Sequence, residues 1–197
     1  MEEIAVQQAR EKYAAAVDAL EELRLSATLA KARTLWARFL FTANGVYAKL
    51  EHGSKVSATS RQWFGAKKNE RKTDPLLAYM RHARNADEHA LQIISRVEPK
   101  RSLIIIDTPR GKTYGYVKSL RSSDAGVTYT STPDTVSVSF EPERFIALRV
   151  YDDRGARWYE VPDSHKGIPV ANSSPVTIGG LFIIHLGVVI SEAEELV

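Results

Sequence analysis

One segment of the chain crowds together side chains that can move protons and hold phosphate: Tyr79-Met80-Arg81-His82-Ala83-Arg84-Asn85-Ala86-Asp87-Glu88-His89. Two histidines, two arginines and an asparagine fall within about three helical turns, more than a merely solvated face needs. Histidine titrates near neutral pH and can act as general acid or base. Arginine stays charged and can grip a non-bridging phosphate oxygen as negative charge builds on it. Together these types suit proton transfer at a phosphate group.

The order Arg84-Asn85-Ala86-Asp87-Glu88-His89 resembles the motif of the HEPN superfamily: arginine, then a polar residue that is often asparagine, then a histidine a few residues on. The resemblance covers about residues 1–100. It implies a small helical bundle, a homodimer whose two motifs face each other, and metal-independent cleavage of RNA. It assigns His89 as acid/base, Arg84 as phosphate clamp and Asn85 as a group orienting phosphate or imidazole. It also implies a toxin or defence context, with an antitoxin or other protein as partner. At about 100° per residue, Arg84 and His89 lie about 140° apart on a helix, so they share a cleft through the long arginine stem or across a dimer.

A basic stretch leads into the motif. Residues 53–84 hold eight Lys and Arg against Glu70 and Asp74. Lys67, Lys68, Arg71, Lys72, Arg81 and His82 are the candidate RNA contacts, since clustered cations bind phosphate backbones by releasing counterions. Trp63 and Phe64 could stack on unpaired bases or plug the end of a bundle. The blander readings are a solvated connector for 67–72, an Arg84–Glu88 surface ion pair, and Asp87 held by Arg33 or Arg38. His82, Asp87, Glu88 and His89 make a poor metal set: the histidines are two turns apart, roughly 10 Å, and HExxH is absent. No metal and no cofactor is expected.

The elements that must carry these residues follow from apolar spacing. Val6, Ala9, Tyr13, Ala16, Leu20 and Leu23 form one helical seam over about 2–24. Leu29, Ala32, Trp36, Phe39, Ala43, Val46 and Leu50 form a second, with Ser26 as its cap and Gly53 as a left-handed stop. A short helix is expected over about 61–72. Thr73-Asp74-Pro75 opens a third long helix to about Val97, with Leu76, Met80, Ala83, Ala86, Ala90 and Ile93 inward.

From Ser102 the pattern changes. Short Val-, Ile-, Thr- and Tyr-rich runs alternate with turn residues: 103–107, 114–120, 127–132, 135–140, 145–151, 158–161 and 176–190, the last one strand with a bulge at Gly179-Gly180 or two strands. The expected fold class is α+β: an N-terminal antiparallel helical bundle (1–99) followed by a small all-β sandwich or barrel domain (100–197). Charge divides at the same place. Residues 1–100 carry 17 basic and 12 acidic side chains, and 101–197 carry 10 and 12, which gives the net +3.

The second half offers little catalysis. Ser164 and His165 follow Asp163, but no GxSxG surrounds a serine, and His185 reads as a core or interface residue in an apolar strand. Tyr114, Tyr116, Tyr129, Tyr151, Trp158 and Tyr159 could line a ligand face or a core. Without cysteine the chain has no disulfide, no Cys-ligated zinc and no thiol nucleophile. With a polar start and no apolar run of about 18 residues, the sequence predicts a cytoplasmic protein with no membrane segment. Its function is then either the metal-independent endoribonuclease or a non-catalytic binding and dimerisation module whose β domain recognises a ligand or protein.

Overall fold

A computed structural model describes residues 1–89, 92–98, 101–108, 111–114, 120–123, 126–129, 135–141 and 144–197, with side chains over 1–88, 92–98 and 144–197. Helix α1 (Glu3–Arg24) and helix α2 (Leu29–Gly53) pack as a hairpin along the two seams. Val6, Ala9, Ala16, Leu20 and Leu23 meet Trp36, Phe39, Ala43 and Val46, all buried. Thr28, not Ser26, caps α2: its hydroxyl accepts the Lys31 N–H at 3.3 Å, while the Ser26 hydroxyl donates back to Leu23 O. Gly53 is not left-handed either, with φ −68°. Its missing side chain instead admits α1, since a Cβ there would collide with the Ala5 methyl.

After one 3₁₀ turn (Ser54–Val56), helix α3 (Ala58–Thr73) leads into helix α4 (Pro75–His89). The Asp74 carboxylate caps α4, taking the Leu77 N–H at 3.0 Å. The expected extension of this helix to Val97 is corrected. α4 ends at His89, Ile93 is 69% exposed rather than inward, and Ser95–Glu98 is strand β1. Ala90 lies outside the described residues.

The larger correction concerns 176–190. These residues are not strands but the core of helix α5 (Pro175–Glu194), which opens with Ser174 accepting the Val176 N–H and Pro175 in the first turn. Ile178, Phe182, His185, Leu186, Val189 and Ala193 bury against the bundle. By length and composition α5 is long and apolar enough to cross a membrane, which the sequence argument from run length had denied.

The chain clusters into two units where the sequence placed one boundary near 99/100. One comprises Met1–Val97 with Phe145–Val197, the other Glu98–Arg144. In the first, β1 pairs with β7 (Arg144–Ala147), and β8 (Val150–Asp152) forms a ribbon with β9 (Arg157–Tyr159), Val150 opposite Tyr159. A small hairpin follows, β10 (Ser164–His165) and β11 (Ile168–Pro169). Its turn residues Lys166 and Gly167 take φ +50° and +79°.

In the second unit, β2 (Arg101–Thr108) lies between β3 (Gly111–Tyr114) and β6 (Thr135–Glu141), with Ile105 opposite Tyr114 and Ser137. β4 (Leu120–Ser123) pairs with β5 (Gly126–Tyr129). The chain is thus mostly helical with small antiparallel strands. A closed sandwich or barrel does not occur among the described residues. Tyr116 and the side chains of Tyr114 and Tyr129 lie outside them.

Candidate functional site

Helix α4 turns Leu76, Leu77, Tyr79, Met80, Ala83 and Ala86 into the core. That choice leaves Arg81, His82, Arg84, Asn85 and Glu88 on its outer side, where two cavities flank them. Arg84 and Asn85 line both.

The larger cavity, about 420 Å³, is basic. Lys12 of α1, Asn44 and Lys49 of α2, Arg71 of α3 and Arg81 and Arg84 of α4 line it, with Glu51 as the single carboxylate. Glu51 is already taken by Lys68 at 2.6 Å. Arg71 is the anchor. Its guanidinium lies 3.9 Å from the centroid of the Tyr47 ring and donates to Asn44 Oδ1 at 2.9 Å. The Asn44 amide is held in that orientation by its own bonds to Leu40 O and Met80 O. No carboxylate pairs with Arg71 among the described residues, and its Nε is buried without a partner. Burial lowers its pKa to about 10, so it remains a cation at neutral pH.

The smaller cavity, about 230 Å³, lies between α4 and the β8–β9 turn. It is lined by His82, Arg84, Asn85 and Ala86 on one side and by Tyr151, Asp152, Asp153 and Arg154 on the other. The His82 ring stacks on Tyr159 with centroids 3.7 Å apart and planes within 11°. Its Nδ1 faces Asp152 Oδ2 at 3.5 Å. Burial pulls the His82 pKa below its usual value; Asp152 opposes that, while Arg81, Arg157 and Arg71 add to it.

Arg84 does reach a cleft, but it is not free there. It pairs with Glu88 at 2.6 Å and donates to Asn85 Oδ1 at 3.2 Å, with 31% of its side chain exposed. His89 closes α4, and its side chain lies outside the described residues.

The basic stretch divides. Arg71 and Arg81 enter the larger cavity and His82 the smaller. Lys67 is spent on Glu192 (2.6 Å) and Glu70 (3.7 Å), and Lys68 on Glu51. Lys72 is exposed. Phe64 is buried and the Trp63 indole N–H donates to Glu192 at 2.9 Å, so both close the bundle end. Asp87 pairs with neither Arg33 nor Arg38. Arg38 meets Glu22 instead, and burial raises the Asp87 pKa.

Lys12, Asn44, Lys49 and Asp152 were not singled out as site residues by the sequence, and Tyr159 only as part of a possible ligand face or core. They arrive from α1, α2, β8 and β9, and no local motif marks them.

A second polar cluster sits inside the bundle. His165 Nδ1 and the Lys166 N–H reach the two oxygens of Asp74 at 3.0 and 2.8 Å. His185 Nε2 meets the Tyr47 hydroxyl at 2.7 Å, and its ring lies edge-on to His165 with centroids 5.5 Å apart. Burial holds the His185 pKa at about 4. Among the described residues no three His, Asp or Glu side chains gather as a metal ion would need. No protein-family model, no curated protein and no solved structure matches the chain.

Proposed function

We propose that the protein is a metal-independent endoribonuclease of the HEPN kind, acting as a homodimer, with Arg84, Asn85 and His89 at the reacting phosphate. The observation that carries this reading is the basic cavity. Four cations, Lys12, Lys49, Arg71 and Arg81, one from each of four helices, converge beside Arg84 and Asn85, and the one carboxylate that lines the cavity, Glu51, is already paired with Lys68. Such a groove attracts a phosphate backbone and presents it to the motif. Arg84 then meets the charge that develops on the non-bridging oxygens, and His89 transfers a proton. Toxin or defence use, with an antitoxin as protein partner, extends the same resemblance.

A second reading has its own support. The Arg84–Glu88 pair occupies the phosphate clamp, as expected of a relative that binds without cutting. The deciding experiment incubates the purified full chain with single-stranded RNA in EDTA, beside His89→Ala and Arg84→Ala. The nuclease reading expects fragments ending in 2′,3′-cyclic phosphate from the parent and none from the variants. An uncut RNA that is nevertheless bound would establish the binding module instead.

A further inference from the structure

The basic cavity takes one stripe from each helix that meets it. On α2, Phe41, Asn44, Gly45, Ala48 and Lys49 recur at steps of three and four, so they share a face. Arg81 and Arg84 repeat that spacing on α4, while α1 and α3 add Lys12 and Arg71. The volume of about 420 Å³ falls within the range of small-ligand sites, roughly 300–1,000 Å³.

The charge inside is out of balance. Arg84 is held by Glu88, and Glu51 by Lys68. Lys12, Lys49, Arg71 and Arg81 have no carboxylate partner among the described residues. Arg71 feels this crowding. Burial lowers its pKa most, Arg81 and Arg84 lower it further, and Tyr47 and Glu51 oppose them. Yet its guanidinium is locked in place, flat over the Tyr47 ring and bonded to Asn44. A guanidinium held rigid among like charges is preorganised for an anion of more than one charge.

A phosphate in the middle of a strand brings one negative charge. A phosphate at a strand end brings about 1.5 to 2 at neutral pH, with three strong acceptor oxygens that several cations can engage together. Neighbouring cations favour its doubly charged form. The cavity also has apolar surface. The Phe41 side chain is 50% exposed, with the Lys12 ammonium 5.5 Å from its ring centroid. An exposed ring beside a phosphate site suits an unpaired base.

We propose that this cavity binds a terminal phosphate of single-stranded RNA, with Arg71 as the fixed anchor, Lys49 and Arg81 around the dianion, and the end base against Phe41. The proposal rests on RNA as the ligand, as the ribonuclease reading has it, but not on cleavage. It adds a preference for phosphorylated strand ends that the Arg–Asn motif does not supply.

The test is equilibrium binding of the full chain to a short single-stranded 2′-O-methyl RNA, which lacks the attacking hydroxyl and stays intact. The strand carries an internal fluorophore and a 5′-phosphate, a 3′-phosphate or hydroxyls at both ends, with AMP as competitor. Arg71→Gln, Arg81→Gln and Phe41→Ala are compared, with far-UV circular dichroism as the folding control. Arg81 is exposed, so Arg81→Gln tests the site even where Arg71→Gln does not fold. One phosphorylated end should bind about tenfold or more tighter than the hydroxyl-ended strand. Arg81→Gln should remove most of that preference, and Phe41→Ala should weaken the phosphorylated strand severalfold while keeping it. Equal affinity for all three strands overturns the terminal-phosphate site and leaves the ribonuclease reading standing. A preference that survives in folded Arg81→Gln overturns its assignment to this cavity. AMP binding as tightly as the phosphorylated strand overturns the RNA end as its source. No binding of any strand overturns both the site and the ribonuclease reading.

Discussion

The hydroxyl of Tyr47 and Nε2 of His185 meet at 2.7 Å in the middle of the bundle, joining α2 to α5 across 138 residues of sequence. Whichever atom carries the proton, Nδ1 of His185 is buried without a partner. Phe182 and His165 also face the imidazole. Its surroundings refuse a second proton, because burial outweighs the favourable field of Glu70, and Lys166, His165 and Lys67 add to the refusal.

Stability should therefore fall with acid through a defined window. The folded-state pKa of about 4 lies below the ordinary histidine value near 6.5. The unfolded chain takes up the proton first, so the contribution is complete above about pH 6.5 and lost by about pH 4. The loss is on the order of 3 kcal/mol. Urea unfolding across that range should show it in the parent. A Tyr47→Phe, His185→Phe double variant, which removes both polar partners together, should lose that component of the slope. Equal slopes in the two proteins would place the titration elsewhere.

Two adjacent glycines of α5 should respond oppositely to alanine. At Gly179 a Cβ would lie 2.7 Å from Leu20 Cδ1 and 3.2 Å from the Phe39 ring, which is itself stacked on Trp36. At Gly180 nothing lies within 4 Å. Gly179→Ala should cost about 1–3 kcal/mol through overpacking. Gly180→Ala should gain up to about 1 kcal/mol from helix propensity. Thermal midpoints moving the same way in both variants would contradict this packing of α5.

The cations of the basic cavity should separate from those beside it. Binding of a single-stranded RNA, measured against salt concentration, should lose about one unit of log–log slope in Arg81→Ala or Lys49→Ala. Lys72→Ala removes an exposed cation that does not line the cavity and should leave the slope nearly unchanged. A Lys72 effect as large as that of Arg81 would move the RNA path off the cavity.

Asp74 fastens the β10–β11 turn to the start of α4. Burial pushes its pKa up, but hydrogen bonds from Lys166, His165 and Leu77 outweigh that and leave it below the usual carboxylate value. A depressed carboxylate stabilises the fold above the unfolded-state value near 4, and the effect is lost as pH falls through the folded-state value. Asp74→Ala removes the cap of α4, typically about 1 kcal/mol. It should also speed amide hydrogen exchange at Lys166, whose N–H it holds at 2.8 Å. Unchanged exchange at Lys166 would show that the turn holds itself.

The helices were legible where one face alone is apolar, as in the Trp36–Phe39–Ala43 seam. They were illegible where the apolar surface wraps all round. In α5, Val, Ile, Leu and Gly occupy every side, so neither a period of two nor one of 3.6 stands out, and β-branched content suggested strands. Yet Ser174-Pro175 is the same opening signal that located α4 from Thr73-Asp74-Pro75. The site divides in the same way. Arg84 and Asn85 announce themselves as neighbours in sequence. Asp152 reaches His82 from 70 residues away, a distance no local pattern spans.

The helical unit is made from two stretches of chain, Met1–Val97 and Phe145–Val197. Arg10 meets Glu194 and Tyr47 meets His185 across that division. Residues 98–144 leave and return at the paired strands β1 and β7, where the Leu148 N–H donates to Ile94 O at 2.9 Å. The two stretches are therefore complementary fragments. A cut within 98–144 leaves the bundle's contacts in place, and separately made pieces carry matching surfaces for reassembly. His82 is on one fragment and Tyr159, on which its ring stacks, is on the other, so that stack would report their reunion.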